Sequence, residues 1–302
     1  MTEFPALIVG SGPLVDYMAA NKGAVTRTLS DEGAVLFRGF DVPDAYAFDA
    51  TVEAFGKPGF TYEDSLSNAV RTNVTDRVFT ANEAPPETEI FLHHEMAQTP
   101  IYPSALFFYC EVSAKRGGET PLCRSDWVWQ RLKDTAPAFA DRLGKVGVRY
   151  TNVMPSDHDS GSGQGRSWHS TLSAGTREAA EARLSQLGYS WVWQDDGSLR
   201  ATTPTLPAIR EVGAGRHSFF NQLIAAFRGW SDSRNEPGKA ITFGDGAPIT
   251  AADISPAIAI ADELTYDLQW QPQDVALVDN FSVMHGRRPF QGKRRILASL
   301  IS

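Results

Sequence analysis

The stretch that decides the fold is the hexapeptide FLHHEM, residues 91–96, which we interpret as part of a β-strand. Successive side chains of a strand point to opposite faces of the sheet. His93 and Glu95 therefore share one face, and His94 takes the other. An imidazole and a carboxylate lie side by side on one surface. Another histidine, His285, follows much later in the chain.

The His-x-Glu pair alone is a weak signal, because a chain with 6 histidines and 36 acidic residues often contains such a pair by chance. A plain surface pair without a metal is the alternative interpretation. Together with His285, the pair provides two histidines and one carboxylate, which is a possible metal-binding set. Two histidines and one carboxylate that leave other positions open form the facial triad of non-haem Fe(II) oxygenases.

The composition is that of an ordinary globular chain of 302 residues, with 42% hydrophobic and 21% charged. A net charge of −8 argues against nucleic acid and anionic membranes as main partners, since both attract basic surfaces. No apolar run reaches the roughly 18 residues of a membrane span, and the first residues do not resemble a signal peptide. Cys110 and Cys123 fit no zinc spacing, so we expect reduced thiols in a cytoplasmic protein.

Short apolar segments separated by turn-forming residues predict a chain rich in β-strands. No Pro/Gly/Ser-rich linker divides it, so residues 1–302 are predicted to form a single domain. The many short strands favour a mainly β fold, a sandwich or jelly roll with packed helices, over an alternating α/β fold. Strands are predicted at 34–40, 104–110, 274–280 and 295–301, with a hairpin at 191–202. Helices are predicted at 13–29, 43–55, 125–132, 137–143, 176–187 and 256–268.

Residues 57–90 form a polar segment that is rich in turn formers and includes Pro85 and Pro86. A loop of this length inside a compact domain is usually functional or mobile. Because the segment leads directly into the strand of His93, we expect it to line or cover the site.

Several blocks of the sequence, in the same order, resemble the taurine dioxygenase/clavaminate synthase-like superfamily. The resemblance covers roughly residues 30–302. It implies a double-stranded β-helix (jelly roll) that binds Fe(II) and uses 2-oxoglutarate and O2 as co-substrates. The blocks are HHEMAQ at 93–98, LFFYC at 106–110, GGETP at 117–121, DNFSVMHGRRPF at 279–290 and RRIL at 294–297, with weaker matches GRSWH at 165–169 and FFNQ at 219–222.

The family pattern assigns roles to individual residues. It makes His93, Glu95 and His285 the metal ligands and the catalytic centre. Glu95 also argues against halogenation, because related halogenases carry a small residue at that place and leave room for chloride.

For the distal carboxylate of 2-oxoglutarate, the family uses an arginine after the second histidine and the threonine of its Gly-Gly-Asp/Glu-Thr motif. A planar guanidinium fits two carboxylate oxygens at once. Arg295, ten residues after His285, and Thr120 are therefore predicted to bind the co-substrate. Arg294 points to the other face of the same strand and is the alternative.

The residues expected to bind the substrate differ from those of taurine dioxygenase. That enzyme has a further arginine, four residues after its 2-oxoglutarate arginine, which holds the sulfonate. Ser299 stands at that place here, so a sulfonate substrate is not expected. Arg287 and Arg288 are expected at the surface, in ion pairs or beside a substrate carboxylate. Further candidate substrate contacts are Arg71, Asn73, Arg166, His169 and Asn221.

The motifs are closest to those of bacterial enzymes that tailor peptide natural products, such as syringomycin aspartyl hydroxylase, and plant clavaminate synthase-like proteins share them. The predicted reaction is hydroxylation of an unactivated C–H bond in an amino acid or amino-acid-derived small molecule, free or held by a carrier protein. Succinate and CO2 are released. Desaturation, epoxidation and cyclisation are alternative outcomes. Alternatives from other classes are a non-catalytic jelly-roll binding protein and a zinc hydrolase.

Overall fold

The computed structural model of the chain describes residues 4–60, 66, 72–81, 84–159, 165–229 and 235–302. Its strands are β1 (Ala6–Val9), β2 (Ala34–Arg38), β3 (Phe79–Thr80), β4 (Ile90–His93), β5 (Ala105–Val112), β6 (Arg116–Gly117), β7 (Thr120–Arg124), β8 (Val148–Met154), β9 (Ser190–Trp193), β10 (Leu199–Thr202), β11 (Arg210–Glu211), β12 (His217–Ser218), β13 (Ile241–Phe243), β14 (Tyr266–Leu268), β15 (Val275–Asp279), β16 (Val283–Arg287), β17 (Phe290–Gln291) and β18 (Arg295–Ile301). Its helices are α1 (Leu14–Glu32), α2 (Ala45–Phe55), α3 (Ser125–Thr135), α4 (Pro137–Val146), α5 (Trp168–Thr171), α6 (Arg177–Gln186), α7 (Leu223–Gly229), α8 (Pro237–Ala240) and α9 (Ala251–Leu264).

Two sheets form the centre of the fold. The larger has the strand order β1-β2-β15-β5-β18-β3, and the smaller has the order β14-β7-β16-β4. β1 pairs parallel with β2, whereas β5 pairs antiparallel with β15 and β18. Phe108 and Ile296 of the larger sheet pack with Leu122 and Val283 of the smaller one in a single buried cluster. Neighbouring strands come from distant parts of the chain, which is the arrangement of the predicted jelly roll.

Strand β5 lies between β15 and β18 and is buried on both faces. Leu106, Phe108 and Cys110 belong to the cluster between the sheets, whereas Phe107 and Tyr109 belong to a second cluster under α1 and α2. Because successive side chains alternate between faces, each face receives apolar residues. The two-sided burial explains why this segment is apolar throughout.

Helices cover the outer face of each sheet. α1 and α2 pack on the larger sheet, and α2 begins after Asp44, whose carboxylate accepts hydrogen bonds from the backbone N–H groups of Tyr46 and Ala47. On the smaller sheet, Cys123 and Met284 join a cluster with residues of α3, α7 and α9. The sandwich therefore has four layers.

The predicted helix at 256–268 is corrected by the structure. α9 spans Ala251–Leu264, and Tyr266–Leu268 is the edge strand β14. The helix starts earlier than predicted because Thr250 and Asp253 form a capping box, in which each side chain accepts a hydrogen bond from the other's backbone N–H. Pro256 lies inside this helix.

Three further features of the fold are a hairpin, the two cysteines and the character of the helices. The hairpin at 191–202 is confirmed, with β9 and β10 paired antiparallel. Cys110 and Cys123 are free and buried, and burial raises the pKa of each thiol to about 12. None of the helices in the described part of the chain is long and apolar enough to cross a membrane.

Candidate active site

Strands β4 and β16 bring two histidines together. His93, the last residue of β4, is paired in register with His285 of β16, and their ring centroids are 4.4 Å apart. Oε2 of Glu95 lies 3.5 Å from Nε2 of His285 and 4.0 Å from Nε2 of His93. One possible ligand atom from each residue lies within 4.8 Å of the others. The structure thus assembles all three residues that were predicted as ligands. The predicted strand is shorter than expected, because β4 ends at His93 and Glu95 lies in the turn that follows it.

The donor set fits a divalent metal ion such as Fe(II). Nδ1 of His93 lies 2.8 Å from the carbonyl oxygen of Phe91. A proton on Nδ1 satisfies that contact and leaves a lone pair on Nε2, the atom that faces Glu95. Two imidazoles and one carboxylate gathered on one side leave the opposite side open for further ligands.

Asn280 fixes the backbone of the carboxylate ligand. Its side chain is fully buried in the turn between β15 and β16. Oδ1 accepts a 2.7 Å hydrogen bond from the N–H of Glu95, and Nδ2 donates to the carbonyl oxygens of Glu95 and Pro103 at 3.0 and 2.9 Å. Both backbone polar groups of Glu95 are therefore held by one side chain that precedes the strand of His285.

His94 supports the site from behind. It is fully buried, its Nδ1 lies 2.6 Å from the carbonyl oxygen of Asn280, and its ring packs 4.8 Å from that of Phe220. Burial lowers the pKa of His94 to about 3, against the opposing effect of the hydrogen bond to Asn280. Gln222 donates a 2.7 Å hydrogen bond to the His94 carbonyl. The FFNQ block thus packs behind the ligand strand.

A pocket extends from the two histidines into the space between the sheets. Besides His93 and His285, its polar lining includes Thr120, Arg287 and Arg294. Its apolar walls are formed by Ala81, Ile90, Phe108 and Ile296.

Arg294 is a cation of this pocket that lacks a carboxylate partner among the described residues. Its Nε donates a 2.9 Å hydrogen bond to the carbonyl of Gly118, and its Nη2 lies 3.5 Å from Oγ1 of Thr120. Burial, followed by the nearby charge of Arg287, lowers the pKa of Arg294 to about 10. A buried charge without a counter-ion is costly. The pocket is therefore suited to an anionic ligand.

The Gly-Gly-Glu-Thr motif provides the groups that contact Arg294, namely the Gly118 carbonyl and the Thr120 hydroxyl. Gly118 has a φ of 75°, and a Cβ atom there would lie 3.0 Å from Cδ of Arg294. A glycine thus allows the left-handed backbone and the close approach of the arginine side chain. The same turn presents the Gly118 carbonyl to Nε and leads into β7, where Thr120 is 3% exposed.

The prediction that Arg295 enters the pocket is corrected by the structure. Its side chain is 49% exposed and forms an ion pair with Glu111. Arg294 and Ile296 both line the pocket, so Arg295 between them points to the opposite face. A connection after His285 that differs by one residue from the expected spacing is sufficient to place Arg294, instead of Arg295, on the face of the strand that lines the pocket.

Because the pocket arginine is Arg294 and not Arg295, the position that corresponds to the sulfonate-binding arginine of taurine dioxygenase also moves by one residue. Four residues after Arg294 stands Ala298, which is buried in the cluster between the sheets. Ser299 is 1% exposed and points to the other face. Neither position carries an arginine, so the departure from the sulfonate-binding pattern remains.

Arg287 was expected at the surface but is 4% exposed and lines the pocket. Its guanidinium donates hydrogen bonds of 2.7–2.8 Å to the backbone carbonyls of Ala84, Pro85 and Thr88. This part of the 57–90 segment therefore lies beside the pocket. Residues 61–65, 67–71 and 82–83 lie outside the described residues, so a cover formed by the whole segment stays a prediction.

The remaining candidate substrate contacts do not line the described pocket. Arg288 forms ion pairs with Glu89 and Asp267, as expected of a surface residue. Arg71 lies outside the described residues. Asn73 forms an isolated bridge, Arg166 bonds to Ser170, His169 stacks on its neighbour Trp168, and Asn221 is buried with hydrogen bonds to backbone groups.

Comparison with known proteins identifies relatives along nearly the whole chain. Residues 8–300 match the family of the taurine catabolism dioxygenase TauD, the TfdA family. A clavaminate synthase-like protein of Arabidopsis thaliana is 45% identical over 273 residues, which cover 90% of this chain and 82% of the relative. The dapdiamide synthesis protein DdaC of Enterobacter agglomerans is 26% identical over 290 residues, covering 92% and 84%.

A solved structure supports the fold. The structure of an asparagine oxygenase in complex with Fe(II), 3-hydroxyasparagine and succinate matches with a TM-score of 0.58 at 14% identity. The match covers 95% of this chain and 79% of that chain. The likeness confirms the jelly-roll architecture.

A jelly roll with two histidines and one glutamate beside a cationic pocket defines the class of non-haem iron oxygenases. The chain belongs to the TauD/TfdA family of dioxygenases. It is therefore an oxidoreductase that uses Fe(II), 2-oxoglutarate and O2. Family membership decides against the non-catalytic binding protein and the zinc hydrolase.

Proposed function

We propose that this chain hydroxylates an unactivated C–H bond of an amino acid or amino-acid-derived substrate, free or held by a carrier protein, in specialised metabolism. The observation that carries the oxygenase chemistry is the cluster of His93, Glu95 and His285 beside a pocket that the cation Arg294 lines. Two relatives support the substrate class. DdaC is a dapdiamide synthesis protein, and the asparagine oxygenase structure contains a hydroxylated amino acid.

The atoms that face the site support the proposed metal and co-substrate roles. Nε2 of His93, Nε2 of His285 and a carboxylate oxygen of Glu95 would hold Fe(II). Arg294 would pair with the distal carboxylate of 2-oxoglutarate through charge-assisted hydrogen bonds, and Thr120 would add its hydroxyl. Arg294 would thus take the role predicted for Arg295.

When bound, Fe(II) and 2-oxoglutarate supply the oxidation, in which one atom of O2 enters the substrate, the other enters succinate, and CO2 leaves. The protein positions the groups and limits access of water. Asn280 holds the backbone of Glu95, which keeps its carboxylate directed at both histidines. Phe108 and Ile296 form apolar walls of the pocket that would hold the co-substrate.

We also propose that residues 1–302 act as one domain in the cytoplasm. Support for one domain comes from the pairing of β4 with β16, because neither half of the chain contains a complete triad. Support for a reducing compartment comes from two free, buried cysteines.

The oxygenase assignment is tested by titrating metal-free protein anaerobically with Fe(II) and then with 2-oxoglutarate. We expect a weak visible metal-to-ligand charge-transfer band that is lost in His93→Ala. Iron binding without this band would contradict the proposed chelation of 2-oxoglutarate.

The substrate class is tested with a panel of free amino acids and of aminoacyl groups loaded on a carrier protein. The readouts are succinate release above the substrate-free background and the product mass. A gain of one oxygen atom indicates hydroxylation, whereas a loss of two hydrogens indicates desaturation or ring closure. A normal charge-transfer band with no stimulation by any panel member would reject the substrate class and leave the oxygenase assignment intact.

A further inference from the structure

The hydroxyl of Thr120 has a second partner that the sequence motifs do not include. Nε1 of Trp270 donates a 2.9 Å hydrogen bond to Oγ1 of Thr120. Trp270 is half-buried and lies in the connection from β14 to β15. β14 pairs with β7, with Leu268 opposite Thr120, and this register brings the indole to the hydroxyl. The contact joins residues that are 150 positions apart.

The two neighbours of Thr120 fix the direction of its proton. A hydroxyl oxygen has two lone pairs and one hydrogen. Trp270 donates to this oxygen at 2.9 Å, and Arg294 Nη2 approaches it at 3.5 Å. The indole N–H and the guanidinium N–H are donors only. Both lone pairs of Thr120 are thus directed at donors, and its hydrogen is left to be donated to a ligand.

The end of the pocket at Thr120 and Arg294 therefore offers hydrogen-bond donors rather than acceptors. The Gly118 carbonyl is engaged by Nε of Arg294, and the carbonyls near Arg287 are engaged by its guanidinium. A carboxylate, which only accepts, matches such a set. A primary amide would direct its NH2 group at another donor.

We propose that Trp270 is a positioning residue that holds Thr120 as a hydrogen-bond donor and so makes this end of the pocket select a carboxylate over an amide. The inference rests on the proposed binding of 2-oxoglutarate in this pocket. Trp270 itself is not among the residues that line the described pocket.

The test measures dissociation constants in the anaerobic Fe(II) protein by titrating the charge-transfer band. The ligands are 2-oxoglutarate, its distal amide 2-oxoglutaramate, and 2-oxobutyrate, which lacks the distal carboxylate. The variants are Trp270→Phe, Thr120→Val and the double variant. Trp193→Phe is the matched control, because Trp193 is also half-buried and its Nε1 donates to Glu181 instead.

We expect Trp270→Phe to weaken 2-oxoglutarate binding roughly three- to ten-fold, the effect of losing one hydrogen bond. Thr120→Val should weaken it at least as much, and the double variant should match Thr120→Val alone. Binding of 2-oxobutyrate should be unchanged throughout. The preference for 2-oxoglutarate over 2-oxoglutaramate should shrink in Trp270→Phe, and Trp193→Phe should behave like the unaltered protein.

Several outcomes would overturn the inference while leaving the proposed function standing. They are unaltered 2-oxoglutarate binding in Trp270→Phe, additive effects in the double variant, an equal effect in Trp193→Phe, or equal affinity of the unaltered protein for the acid and its amide. The last measurement needs no variant, so the inference can still be overturned where Trp270→Phe does not fold. Absence of 2-oxoglutarate binding by the unaltered protein would overturn the proposed function and the inference together.

Discussion

His93 and His285 occupy directly opposed positions of β4 and β16, although they come from opposite halves of the chain. Next to this pair, Gly286 lies close to the neighbouring strand. A Cβ atom at Gly286 would be 2.3 Å from the carbonyl oxygen of Ile90. The two ligand strands therefore depend on a glycine for their spacing.

Gly286→Ala should weaken Fe(II) binding because the added methyl group forces β4 and β16 apart beside the ligands. We expect a lower iron content after dialysis at a defined free Fe(II) concentration. Gly175→Ala is the control, since a Cβ atom there meets no atom within 4 Å. Equal iron retention in both variants would show that the strand spacing does not control the site.

Asn280→Asp should lower the affinity for Fe(II) about 10- to 100-fold, the usual effect of disturbing a residue that orients a metal ligand. The change preserves shape but removes the Nδ2 donor to Glu95 and Pro103 and buries a carboxylate. The measurement is a competitive Fe(II) titration against a chelator. Asn21→Asp is the control, because the Asn21 side chain donates a hydrogen bond to the Tyr17 carbonyl within α1. Unchanged affinity in Asn280→Asp would contradict the positioning role.

Arg294→Ala should raise the KM for 2-oxoglutarate on the order of ten- to a hundred-fold, as expected from the loss of a hydrogen-bonded charge. Arg294→Lys should recover only part of this, since an ammonium cannot bind both oxygens in a fork. Arg295→Ala removes an exposed ion pair with Glu111, so it should leave KM unchanged and cost at most about 1 kcal/mol of stability. The reverse ranking would restore the assignment made from sequence.

Arg287→Lys should loosen residues 84–88 while it keeps the positive charge beside Arg294. A lysine cannot reproduce the hydrogen bonds to three separate carbonyl groups. We expect faster amide hydrogen exchange and faster proteolysis in this segment. Arg288→Lys alters the partly exposed ion pairs with Glu89 and Asp267 and serves as the control. Identical exchange in the two variants would argue against anchoring by Arg287.

Thr250→Ala should lower the free energy of unfolding by about 1 kcal/mol, because the start of α9 loses its capping box. Urea denaturation followed by circular dichroism measures the change. Thr26→Ala is the control, since its hydroxyl bonds within α1 at an exposed position. Equal stability of the two variants would mean that the cap contributes little to this helix.

Local patterns predicted much of the fold and the ligand set. The apolar run of β5 and the motif around His93 could be identified because their information is contained in adjacent residues. Arg294 could not be distinguished from Arg295, because a one-residue slip in a strand exchanges its faces. The burial of Arg287 and the contact of Trp270 with Thr120 could not be predicted from neighbouring residues. Their roles depend on carbonyl groups at 84–88 and on the register of β14 with β7, which the amino-acid pattern does not contain.

The opposed placement of His93 and His285 also has a consequence for biosynthesis. While the ribosome is still making the C-terminal third, the nascent chain carries His93 and Glu95 but lacks the histidine that faces them. Such an intermediate has only two of the three metal ligands. The complete set of three ligands therefore exists only after β16 has been synthesised and has paired with β4.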